Sequence, residues 1–219
     1  FICRKENLMV DYVGTEEGME KLENCVERFA EGLYSCSVKK ESFVPVISVK
    51  NEGFMTSGQV QYVCRGGNFK KKGLDYTGSL RALKVMMGYE YLWNNVRVKG
   101  GAYGCMCGFG KSGECYFVSY RDPNLGKTVE IFEKAAENIR MFEADERTMT
   151  QYIIGAVSDL DIPMNPAALG LFSLSAYMTG VTQEMLQKER DELLVTTEED
   201  IRGLAEYIDA FVSENHLCV

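Results

Sequence analysis

The chain is 219 residues long, with 24 Lys and Arg against 32 Asp and Glu, one His and 8 Cys. This length suits one large domain or two small ones with a sizeable core, and an apolar fraction of 46% with 11% aromatics excludes a disordered chain. The net charge of -8 argues against nucleic acid or an anionic membrane as the main partner, because both demand a basic face.

Along the chain, Asn7 to Val13 reads as a strand. Thr15 caps a helix from about Glu16 to Tyr34 with the stripe Met19, Leu22, Val26, Phe29, Ala30 and Leu33. A loop with Lys39 and Lys40 leads to a short apolar run, Val46 to Val49. Gln59 to Cys64 alternates, with Val60, Tyr62 and Cys64 on the apolar side of a half-buried strand. Gly66-Gly67 is expected to end it, and Lys70 to Lys72 to form an exposed loop. Gly78 to Val96 is a dense apolar helix packed on several sides.

Tyr103 to Phe109 and Cys115 to Tyr120 form a hairpin about Lys111 to Gly113. The remainder is helical, with stripes from Val129 to Ile139 and from Met149 to Leu160, a cap at Asn165-Pro166, and helices opened by Thr182 and Thr197. Strands early and helices late predict an α+β fold, an antiparallel or mixed sheet covered by helices on one face. The whole of 1–219 is read as a single domain. No stretch approaches the roughly 18 consecutive apolar residues of a membrane-spanning helix. Eight scattered Cys read as reduced thiols, which points to the cytoplasm or another reducing compartment such as an organelle matrix. The first residue is Phe1, and the chain reads as a piece of something longer.

Three segments offer chemistry. Gly100-Gly101-Ala102-Tyr103-Gly104 is glycine-rich, but a phosphate loop needs a helix after it and here the helix comes first. Cys105 and Cys107, with Cys115 across the turn, supply three thiols but no fourth zinc ligand, since His216 is far off. Small buried thiols on one strand face, shared with Tyr103 and Phe109, are the simpler reading. Arg97 at a helix end and Tyr103 at the next strand's start bring a five-donor guanidinium and a phenol to one junction. Such donors suit a substrate carbonyl and the negative charge it gains on attack. A helix-capping Arg beside a half-buried core Tyr is the simpler account of both residue types on these grounds alone.

The run Tyr91 to Gly104 (YLWNNVRVKGGAYG) resembles the insulinase, or pitrilysin-type, zinc metallopeptidases, and within them the presequence-protease branch. Ser119 to Asn124 (SYRDPN), Ile153-Ile154-Gly155 and Arg190 to Leu194 (RDELL) extend the resemblance from about Asn7 to the end. It implies a protein of two homologous halves around a chamber that admits unfolded peptides. The first half carries zinc on an H-x-x-E-H motif and a distal Glu. The zinc-free second half contributes an arginine and a tyrosine, which match Arg97 and Tyr103, with Gly100 and Gly101 as substrate-binding positions.

H-x-x-E-H cannot occur in a chain with one His. The expectation is therefore the C-terminal, zinc-free part of a metalloendopeptidase, active only with its N-terminal half, which would hold zinc and the general base. The alternative is a non-catalytic structural or partner subunit of the same family. A thiol-metal protein using Cys105, Cys107 and Cys115 is a third, unrelated reading.

Overall fold

The computed structural model describes residues 3–36, 43–46, 48, 52 and 57–219. The expected run Val46 to Val49, and Lys39 and Lys40, lie wholly or partly outside the described residues. The chain divides into two compact units, one of Phe1–Glu52 with Pro163–Thr182, the other of Gly53–Ile162 with Gln183–Val219.

In the first unit a helix spans Glu16–Glu31, and the Thr15 side chain accepts the Gly18 N–H as expected. Its apolar stripe is only partly covered: Leu22, Val26 and Ala30 are half-buried, and no residue of this helix is fully buried. A second helix, Pro166–Thr179, starts from Asn165, whose side chain accepts the Ala168 N–H, and stops at Gly180 with φ at +70°. The strand expected over Asn7 to Val13 is not formed. Lys5–Asn7 is a single 3-10 turn, and residues 8–13 carry no regular element. A strand needs a neighbour for its backbone groups, and the bridge recorded here, among the described residues, is Arg4 with Tyr34.

The second unit contains a four-stranded sheet of β1 (Gln61–Asn68), β2 (Gly104–Phe109), β3 (Glu114–Asp122) and β4 (His216–Cys218), ordered β2-β3-β1-β4. Every pairing in it is antiparallel. Helices α1 (Ser79–Met86), α2 (Leu125–Glu133), α3 (Ala135–Arg140), α4 (Glu146–Leu160), α5 (Gln183–Leu194), α6 (Glu198–Gly203) and α7 (Ala205–Val212) complete it. A π-helix, Met87–Val98, runs straight on from α1.

Helices cover one sheet face, as expected for α+β. There Phe117 of β3 meets Phe132 of α2 and Phe211 of α7 with ring centroids 5.5 and 5.0 Å apart. Each fully buried side chain of this size contributes about 1.5–3 kcal/mol. The other face is open, with Tyr62, Met106 and Tyr116 exposed.

The period of β1 is as read, but its buried side is the opposite one. Val63 and Arg65 point inward, while Val60 and Tyr62 are exposed. The reason is Arg65. Its guanidinium, 5% exposed, donates to the Val212 carbonyl at 3.0 Å and pairs with Glu133 at 3.5 Å, so a charged residue occupies the core side. Nor does Gly66-Gly67 end the strand. At Gly67 a Cβ would lie 2.7 Å from that of Phe211, so the position serves close helix packing on a continuing strand.

Candidate functional site

The junction expected from the sequence is built by the π-helix. Its wider turn shows in the closing bond, Lys99 N–H to the Asn94 carbonyl at 3.0 Å. Such turns are uncommon and recur at functional sites. The segment ends in a tight reversal, with Gly101 N–H donating to the Arg97 carbonyl at 2.9 Å and Ala102 N–H to the Val96 carbonyl at 3.2 Å. A Cβ at Gly100 would lie 2.4 Å from the Val96 carbonyl oxygen, and Gly101 has φ at +80°, so both glycines are required by the reversal itself.

Arg97 and Tyr103 flank this reversal. The Arg97 guanidinium lies 3.8 Å over the Trp93 ring, a stacking that leaves its N–H edge free. Tyr103 is 60% exposed, so the half-buried core tyrosine is not what is found. Nor does it share the face of Cys105 and Cys107. Its ring packs edge-on against Tyr120, centroids 5.3 Å apart, and Tyr120 in turn stacks on Tyr62 at 6.2 Å. The glycine reversal turns Tyr103 out of the alternation that governs the rest of β2. Tyr120 can lie flat here because Gly104 is bare: a Cβ there would come within 2.2 Å of its ring.

The turn after β3 secures the loop from the other side. Asp122 is fully buried and accepts from the Ser119 hydroxyl at 2.6 Å, the Thr128 hydroxyl at 2.7 Å and the Asn124 N–H at 2.8 Å. The Asn124 side chain then donates to the Gly100 carbonyl. Arg121, exposed, lies with its guanidinium 5.6 Å over the Tyr103 ring, and its carbonyl accepts the Tyr103 N–H at 3.3 Å. Trp93, Tyr120, Arg121, Asp122 and Asn124 had no assigned role in the sequence. Asp-Pro-Asn was the available signal, because an Asp carboxylate that accepts the N–H two residues on makes a turn of this kind.

The three hairpin thiols are packing groups. Cys107 and Cys115 are buried, and burial pushes their thiols up to about 12. Burial likewise raises Cys105 to about 11, a rise that the Arg97 charge opposes and the Asp122 charge assists. His216 is exposed, and among the described residues no group of three or more His, Cys, Asp or Glu is placed to hold a metal ion. These residues do not fit a zinc site.

The family described as "PreP C-terminal domain" matches residues 51–219. The chain belongs to the presequence protease family. It is 40% identical over its whole length to Protein HypA of Clostridium perfringens and 38% identical, over 74% of its length, to Presequence protease 1, chloroplastic/mitochondrial, of Arabidopsis thaliana. It spans only 22% and 15% of those two proteins. In fold it is similar to a protease of Helicobacter pylori, with a TM-score of 0.58 at 17% identity over 85% of this chain and 48% of that one. A putative zinc protease of Bordetella pertussis gives 0.54 at 12% identity, over 73% of this chain and 93% of that one. This chain therefore shares its fold with both, and no helix among the described residues is long and apolar enough to cross a membrane.

Proposed function

We propose that this chain is the substrate-binding C-terminal part of a zinc metalloendopeptidase that degrades unfolded peptides. Zinc and the general base belong to the protein's N-terminal half, outside these residues. Tyr103 donates a hydrogen bond from its phenol to the scissile carbonyl oxygen as that oxygen takes on negative charge. Arg97 binds a neighbouring carbonyl or carboxylate of the peptide, which lies along the Gly100-Gly101 reversal. All eight cysteines are free thiols, which suits a reducing compartment.

The observation that carries this reading is the exposed phenol and the stacked, edge-free guanidinium on either side of one glycine reversal. Arg97 has no ion pair among the described residues, in a chain with 32 acidic side chains. Donors placed in advance of the charge they meet cost no reorganisation at the moment of reaction. In the full-length protein, Tyr103→Phe is expected to lower kcat by about 10²–10³. Unchanged kcat would remove Tyr103 from the mechanism.

A further inference from the structure

We propose that Arg121 is a third substrate-binding residue and that it selects peptides bearing a carboxylate close to the bond held by Tyr103. This rests on the reading above that peptide substrate binds along the glycine reversal.

Backbone geometry singles Arg121 out. Its φ is +47°, one of two positive values at non-glycine residues among those described. The other, Asn215, is of a type that tolerates this region, whereas an Arg there is strained. Strain of this kind persists only where the surroundings over-determine it, and it gathers at functional sites. Here the Arg121 carbonyl is held by the Tyr103 N–H, and the next residue is the buried Asp122 with its three donors.

A second observation agrees. Gln61 pairs with Asp122 and Val63 with Ser119, so β3 advances three residues while β1 advances two. That is a bulge over Tyr120 and Arg121. Bulges bend a strand and re-aim a side chain. By simple alternation from Phe117 and Ser119, both buried, Arg121 would point into the core. The bulge sends Asp122 inward instead and leaves Arg121 exposed.

The guanidinium lies against the face of Tyr103, where its N–H edge stays free, and no carboxylate among the described residues pairs with it. Strain and a bulge thus maintain a bare cation beside the phenol, on a chain whose net charge is -8. Two parallel N–H donors match a carboxylate better than any other peptide group.

The test uses the full-length protein and a series of peptides, identical except for a single Glu or Gln moved across the positions flanking the scissile bond. At one position the unaltered protein is expected to favour Glu by about 10- to 100-fold in kcat/KM, the worth of one charge-assisted pair. Arg121→Gln and Arg121→Gly should both bring that ratio to about one. The glycine variant suits the positive φ, so it remains folded if the glutamine variant does not. No preference for Glu at any position, or equal losses on both peptides of a pair, would overturn the proposal. Tyr103→Phe, run alongside, should lower kcat on both peptides and keep their ratio. If it changes nothing while the Arg121 variants lose the ratio, the role of Tyr103 fails and that of Arg121 stands.

Discussion

Asn124 donates its side-chain N–H to the Gly100 carbonyl, so the turn after β3 and the reversal before β2 form one hydrogen-bonded unit. Arg97, near the end of the π-helix, and Arg121, near the end of β3, stand on either side of that unit, with Tyr103 between them in the chain. On the proposed function, its rigidity bears on turnover more than on stability. Asn124→Ala is expected to cost about 1 kcal/mol of stability and to lower kcat about tenfold or more, since small misplacements of donors are costly. Calorimetry and steady-state kinetics on the same preparation separate the two, and an unaltered kcat counts against the coupling.

Asp122 behaves differently because it is buried. Asn at this position keeps one acceptor and adds an unwanted donor facing two hydroxyls. Asp122→Asn should cost about 2–3 kcal/mol, lowering Tm by roughly 5–10 °C in a chain of this size. A shift within a degree or two would mean the carboxylate is dispensable.

Gly104 gives a more local probe. Gly104→Ala places a methyl where the Tyr120 ring lies and displaces the edge-on partner of Tyr103. The expected result is a loss of about tenfold in kcat with little change in Tm, read by kinetics alongside thermal unfolding. Undiminished kcat would show that Tyr103 does not need Tyr120 behind it.

Far from this site, Glu189 is 3% exposed and meets Tyr76 at 2.8 Å, Lys111 at 2.5 Å and Arg81. Burial raises its pKa, but the hydrogen bonds of Lys111, Tyr76 and Arg81 outweigh burial and hold it below the usual 4.5. A folded value below the unfolded one stabilises in full above the unfolded value, and that contribution is lost as pH falls through the folded one. Glu189→Gln should therefore cost about 2–4 kcal/mol near neutrality, leaving two cations unpartnered. It should also flatten the loss of stability below pH 4.5. Denaturant titrations from pH 7 to 3 measure both, and parallel curves would discount this carboxylate.

Thiol reactivity follows from burial. At pH 8 a thiol near 12 is ionised in roughly one molecule in ten thousand. Brief alkylation of the folded protein should label the exposed Cys3, Cys25, Cys36 and Cys218 and spare Cys107 and Cys115. Rapid labelling of Cys107, seen by peptide mapping, would contradict its buried setting.

Much of the fold was legible because its signals are local. Thr15, Asn165 and Thr197 each accept an N–H at the helix start they mark, and Thr197 with Asp200 completes a capping box. The β2–β3 hairpin and the glycine reversal follow from turn residues in the same way. What escaped depends on distant partners. Nothing within β1 says that Arg65 will find Glu133 and the Val212 carbonyl, so its core face was inverted. The π-helix escaped because over 12 residues its apolar spacing is hard to tell from that of an α-helix. Arg121 and Asp122 are adjacent charges on one strand, and only the bulge decides that Asp122 is buried and Arg121 exposed. The glycine string and the two donors were found by motif, and their stacking on Trp93 and Tyr120 only by structure.

The π-helix makes the location of Arg97 sensitive to chain length. Removing one residue between Met87 and Arg97 would shift the register of everything after it, and each residue of an α-helix turns the following side chains by about 100°. The Trp93–Arg97 pair would then turn relative to the glycine reversal, although no side chain at the site had been changed. A shortened variant with sound folding and failed turnover in the full-length protein would tie the proposed role of Arg97 to the wide turns of this helix.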